Sequence, residues 1–129
     1  MGIRNATSAE VSPAGDMVVV PMACSIFGTT GTVAIAPETR AELLYGRHTS
    51  PEPYRCHYSL NPAYRDILLS HGLIASGLDA EGEVRIVERT DHPFFVATLF
   101  VPQMSEEQPH PLLVGLLRAA QSRQHGTPR

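Results

Sequence analysis

The chain contains no lysine and no tryptophan. All ten basic residues are arginine, against 13 acidic ones, and the net charge is -3. Without lysine there is no Schiff-base chemistry and no lysine-anchored phosphate loop. With no basic excess and no basic run, the composition is not that of a nucleic-acid or anionic-membrane binder. Two cysteines, Cys24 and Cys56, are too few for a disulfide framework or a structural zinc site. No apolar stretch approaches the roughly 20 residues of a membrane span. The longest, Phe94 to Val101, is interrupted by Thr98. Met1 to Pro13 lacks the apolar core of a signal peptide. The expectation is a soluble, cytoplasmic protein with neither nucleic acid nor membrane as partner.

What is present reads as one globular unit: 129 residues, 43% hydrophobic and 18% charged. We expect an irregular N-terminal segment over 1–15, a domain over 16–120 and a flexible tail over 121–129. Met17 to Val20, Met22 to Phe27 and Thr32 to Ala36 read as short strands of an antiparallel ribbon, turned by Gly28 and Gly31. Pro37-Glu38 suits a helix start, and Gly46 ends that turn. Arg47 to Pro53 reads as a loop from its Ser and Pro content, and Tyr54 to Leu60 as a strand. Asn61 is an N-cap candidate before Pro62, opening a helix that runs to about His71, with Tyr64, Ile67 and Leu68 on one face. Leu73 to Gly77 and Glu83 to Glu88 read as strands around an Asp79 to Gly82 turn. Phe94 to Val101, apolar at nearly every position, reads as a central strand buried on both faces. His110 to Ala120 is a helix with Leu112, Leu113, Leu116 and Leu117 at helical spacing. The alternation implies α/β layers.

The motif order from Arg55 onward resembles a known family. Arg55-Cys56-His57-Tyr58 followed by Asn61-Pro62-Ala63-Tyr64-Arg65, then Asp91-His92-Pro93-Phe94-Phe95-Val96, then His110-Pro111-Leu112, is similar to the latter half of the class I glutamine amidotransferase domain of CTP synthases. The resemblance implies a partial flavodoxin-like three-layer α/β sandwich with an antiparallel ribbon, and descent from a glutamine-hydrolysing domain of pyrimidine biosynthesis. It implies no cofactor. It aligns the family's catalytic His with Val101 and its Glu with Gln103, while the segment carrying the nucleophilic Cys is not found in this chain. Valine can neither activate a thiol nor protonate a leaving amine, and neutral glutamine cannot support an imidazolium. No catalytic residue is therefore assigned. Arg55, His57 and Tyr58 are the expected substrate-contacting residues, with His57 standing where the family has Arg.

Other constellations read as structural. Cys56 and His57 are adjacent on an expected strand and point to opposite faces, and both cysteines are expected to be buried. Ser25 lacks a nucleophile-elbow context. The six histidines show no metal-ligand spacing, so no metal is expected. His92 is expected to shape a turn and His71 to sit favourably at a helix C-terminus. Glu81, Glu83 and Glu88 read as solvated hairpin charges. Three functions follow. The first is an amidotransferase-like fragment or homologue without glutaminase activity. The second is a non-catalytic small-molecule-binding or assembly module reusing the glutamine cleft. The third is a half-enzyme whose nucleophile comes from another polypeptide, against which Val101 argues. The expected partner is either a second copy or a chain supplying the missing half-domain.

Overall fold

The computed structural model describes residues 2–12, 14–22 and 26–126. Its elements run β1 (Ala6–Ser8), β2 (Asp16–Pro21), β3 (Thr30–Ile35), α1 (Arg40–Tyr45), β4 (Thr49–Pro53), β5 (Tyr58–Leu60), α2 (Pro62–Ser70), β6 (Ile74–Leu78), β7 (Val84–Arg89), β8 (Phe95–Thr98) and α3 (Pro111–His125). A 3-10 turn over Pro102–Met104 joins β8 towards α3. Five strands form the main sheet in the order β4-β3-β6-β7-β8, and β1, β2 and β5 form a smaller one. All pairings in the main sheet are antiparallel, while β1 and β2 pair in parallel.

The core lies between the main sheet and the α1–α3 pair. Val33, Ile35, Ile86 and Phe100 pack there with Ala41, Tyr45 and Leu112. The two helices approach closely because position 115 is glycine: a Cβ there would sit 2.6 Å from Leu44 Cδ2. Each helix begins where local chemistry starts it. Thr39 accepts from the Glu42 N–H at 3.1 Å as the N-cap, and the Glu42 carboxylate accepts from the N–H of Glu38, the residue before the cap, at 2.8 Å. Gly46 closes α1 in the left-handed conformation. Asn61 caps α2 ahead of Pro62, as its sequence implies.

Several expectations are corrected. The ribbon does not form from β2 and β3, which lie in different sheets; the partner of β3 is β4, within the segment read as a loop. The Pro residues misled because β4 is an edge strand. Ile35 N donates to His48 O, so Pro51 and Pro53 fall at positions whose missing N–H would face the free edge. The segment 1–15 contains β1, and α3 continues to His125 into the segment read as a tail. The expected strand Met22 to Phe27 lies partly outside the described residues, and residues 26 and 27 are not strand.

The apolar strand is likewise not central. β8 ends the sheet, and Phe95 is 40% exposed while Ile86 on β7 is fully buried. On α3, Leu112 and Gly115 face inward, but Leu116 and Leu117 are 48% and 65% exposed. On α2, Tyr64 and Leu68 are half-buried and Ile67 is exposed. Glu88 is the reverse case: its carboxylate is buried and accepts the backbone N–H groups of Arg40 at 2.7 Å and Ala41 at 3.0 Å. It satisfies the first turn of α1 from a strand 47 residues away.

Ile86→Ala is expected to cost about 2–5 kcal/mol, as for a core site, and Phe95→Ala well under about 1.5 kcal/mol, since its ring remains half in water. Urea unfolding of the two variants checks this, and equal losses would place β8 in the interior.

Candidate functional site

The turn after β8 carries the positions where the resemblance expects an acid–base pair. Val101 is extended and half-buried at the head of the 3-10 turn, following the buried Phe100. Gln103 is exposed, and its backbone carbonyl accepts from Gln108 Nε2 at 3.4 Å. The loop beyond is tied down from the connection between α1 and β4. Arg47 pairs with Glu107, with a second contact from Nη1 to Oε1 at 3.3 Å, and donates to Ser50 Oγ at 2.9 Å. The hydrogen bond from Arg47 holds the Glu107 carboxyl below the usual carboxylate range.

A cleft of about 270 Å³ lies against this loop, lined by Thr30, Pro51, Arg55, Met104, Glu106 and Glu107 among others. Of the three expected substrate contacts, only Arg55 borders it. Its guanidinium lies over the Phe27 ring at 5.8 Å, and the other expected contact, His57, stacks on Phe27 with centroids 4.8 Å apart. His57 is exposed and does not line this cleft. Tyr58 does not line this cleft; it belongs to β5, pairs with Pro21, and accepts from Arg85 Nη1 through its carbonyl. Cys56 precedes β5 instead of lying in it, is half-buried, and accepts from the Tyr58 N–H at 3.3 Å. Cys24 and Ser25 lie outside the described residues. The cleft is bordered by the Arg55 guanidinium and the Glu106 carboxylate, beside a Glu107 already paired with Arg47, a charge pattern suited to holding a zwitterion, and its lining includes no histidine or thiol to move a proton.

Two buried charge clusters escaped the sequence reading. Arg85 is 1% exposed, bonds Asp79 Oδ2 at 2.9 Å through Nε, and lies over the Tyr54 ring at 5.2 Å. Asp79 also accepts from the Glu81 and Glu83 N–H groups, closing the β6–β7 turn. The second cluster is a histidine–carboxylate pair, the form that a catalytic dyad takes. His110 Nε2 lies 3.0 Å from Glu52 Oε1, which also receives the Tyr45 hydroxyl at 2.8 Å and the Ser50 hydroxyl at 3.0 Å. His110 Nδ1 accepts the Leu112 N–H at 3.2 Å, so the ring caps α3 and carries its donor proton on Nε2. Both side chains are fully buried, so substrate cannot reach them; the pair is architecture. Burial, then the charge of Glu52, raises the Tyr45 phenol far above its ordinary value, keeping it a donor. The alternation of Ser50 and Glu52 with the two prolines was the available sequence signal. His71 and His92 meet their expectations: His71 Nδ1 lies 2.7 Å from Ile67 O at the end of α2, and His92 Nδ1 accepts the Phe94 N–H at 3.1 Å.

Glu52→Ala strands the His110, Tyr45 and Ser50 donors and should cost about 3–5 kcal/mol in chemical denaturation; a loss under about 1 kcal/mol would mean the cluster contributes little. The Glu107 carboxyl titrates lower in the folded state, so its contribution is complete above the ordinary carboxylate range and disappears as pH falls through its folded-state value. Both partners are substantially exposed, so the bridge is worth less than about 1 kcal/mol. Thermal unfolding of wild type and Glu107→Gln should differ slightly at neutral pH and converge in acid. A gap that does not close would assign the effect to packing.

No family model matches the chain. It is similar to the CTP synthases of Parasynechococcus marenigrum and Thermococcus gammatolerans, at 35% and 36% identity over 140 residues covering 98% of the chain. It spans about a quarter of their length, 26% of each. Its structure superposes on the glutaminase domain of Trypanosoma brucei CTPS, solved with bound acivicin, with TM-score 0.78 and 25% identity over 93% of this chain and 52% of that one. A putative GMP synthase component from Thermoplasma acidophilum shares the fold at TM-score 0.63 and 15% identity, over 83% of this chain and 50% of that one. The chain is homologous to the glutaminase domain of CTP synthase, a class I glutamine amidotransferase, and has that domain's mixed α/β fold.

Proposed function

We propose that this chain is a CTP synthase-like amidotransferase half-domain without glutaminase activity of its own. The observation that carries the reading is Val101 at the head of the turn after β8, with Gln103 two residues on. Glutamine hydrolysis by a thiol needs a base to take the thiol proton and return it to departing ammonia. The branched hydrocarbon of Val101 does neither. The buried His110 cannot substitute, because its ring is committed to Glu52 and to the Leu112 N–H. The cleft by Arg55 favours a second use of the same surface, as a non-catalytic site for a small zwitterion. Glutamine hydrolysis remains the activity of the named relatives' family, and pyrimidine biosynthesis its context.

Ammonia release from glutamine, measured on the purified chain, is expected to equal the protein-free background. Members of such catalytic sets act as a unit, so the loss of one removes several orders of magnitude. Turnover above background that survives Cys24→Ser and vanishes with Cys56→Ser would overturn this reading and name a new nucleophile.

A further inference from the structure

The corner that joins α1, β4 and α3 is complete within this chain. Tyr45, Ser50, Glu52 and His110 are all buried. Every polar side-chain atom among them has a partner in the same group, in Arg47 or in the backbone. The chemistry of the corner therefore belongs to these residues and not to whatever stands on the surface.

The contacts fit one arrangement of protons. His110 Nε2 lies 3.0 Å from Glu52 Oε1 and 3.2 Å from Oε2, so it carries a hydrogen. His110 Nδ1 receives the Leu112 N–H at 3.2 Å, so it presents a lone pair. The ring is then a neutral imidazole, and Glu52, which receives three donors, is a carboxylate. One further proton disturbs this set. Placed on Glu52, it faces the donors of Tyr45, Ser50 and His110. Placed on Nδ1, it takes the lone pair that caps α3. An Nδ1–H bond forms, the ring becomes an imidazolium, and two N–H groups point at each other. The proton comes from solvent, the Leu112 hydrogen bond breaks, and nothing else leaves.

The groups around the ring decide how that proton is received. From α1 comes the Tyr45 hydroxyl, 3.4 Å from Nε2 and held in its neutral form. From β4 comes the Glu52 carboxylate. Arg47, between α1 and β4, and Glu107, in the loop before α3, offset each other as an ion pair, with Glu107 in electrostatic reach of His110. Phe100 offers only an apolar ring, with centroids 6.4 Å apart. Glu52 attracts an imidazolium, yet it already holds the Nε2 hydrogen bond, so protonation adds attraction and no new bond. Against it stand the lost cap and the N-terminus of the 15-residue α3, which carries positive partial charge at this ring.

We propose that His110 makes this corner a proton-sensitive lock, in which uptake of one proton at Nδ1 releases the N-cap of α3 and loosens the loop before it. The lock is closed above the imidazole range and opens as pH falls through it. The loop carries Met104, Glu106 and Glu107 of the cleft wall, so acid slackens the cleft while the main sheet stays folded. The proposal does not depend on the loss of glutaminase activity.

The test is an NMR titration of the whole chain from about pH 8 to about pH 5, the window in which histidine changes charge. It follows the His110 ring nitrogens and the protection of the Leu112 amide, taken relative to intrinsic exchange at each pH. The Ala36 amide, bonded to Ser76 O at 2.9 Å, is the reference for the main sheet. The expected result is the Nε2–H tautomer at the alkaline end. Ring protonation is then accompanied by a fall of about fivefold or more in Leu112 protection, the worth of one side-chain cap, with Ala36 unchanged. In His110→Asn the cap is kept by a side chain that does not titrate, so Leu112 protection should be flat across the window. The wild-type titration decides by itself if that variant does not fold. A ring that takes the proton while Leu112 stays protected would overturn the proposal, as would a ring still neutral at the acid end. Loss of protection shared equally by Ala36 would mean global unfolding and no lock, and the same loss in His110→Asn would assign the acid response to another group.

Discussion

The buried carboxylate of Glu52 is the point on which the arrangement turns. It gathers a histidine from the start of α3, a tyrosine from the end of α1 and a serine from its own strand. Burying a carboxylate is costly unless its lone pairs are filled, and here three donors serve them, with the His110 N–H shared between both oxygens. In return it locks β4, α1 and α3 at one corner. Arg47, bonded to Ser50 of the same cluster, extends the lock outward to Glu107 and so fixes the loop after β8. The candidate cleft inherits its wall from this corner.

A second buried carboxylate works the same way across the sheet. Glu88 lends its negative charge to the N-terminus of α1, a helix too short to be stable by itself. Asp79 and Arg85 stabilise the opposite face, where the small sheet abuts β7 through the Tyr58 carbonyl. Charge is thus spent inside the molecule to orient short elements. Phe94 to Val101 carries no charged residue, and the turn after β8 has a hydrocarbon at Val101 and an amide at Gln103.

The short-range signals were readable. Asn61-Pro62 starts α2, Gly46 ends α1, and Asp79 to Gly82 turns β6 into β7. Each depends on a few neighbouring residues whose backbone preferences or hydrogen bonds act locally. The chemistry of Val101 and Gln103 also belongs to the sequence, because no fold can give valine a titratable proton.

Only the tertiary structure decided the rest. Phe94 to Val101 has the composition of an interior strand, yet whether a strand is central depends on how many others pair beside it, which composition does not encode. Arg47 to Pro53 has the composition of a loop, yet a strand at a sheet edge tolerates proline wherever the missing N–H faces outward. Glu52, Glu88, Arg85 and His110 have the composition of a surface and are buried, because the fold brings them partners, some nearby like Asp79 for Arg85 and others 47 to 58 residues distant. Burial of charge is a property of pairs brought together by the fold, and a single residue read in its local context carries only half of it.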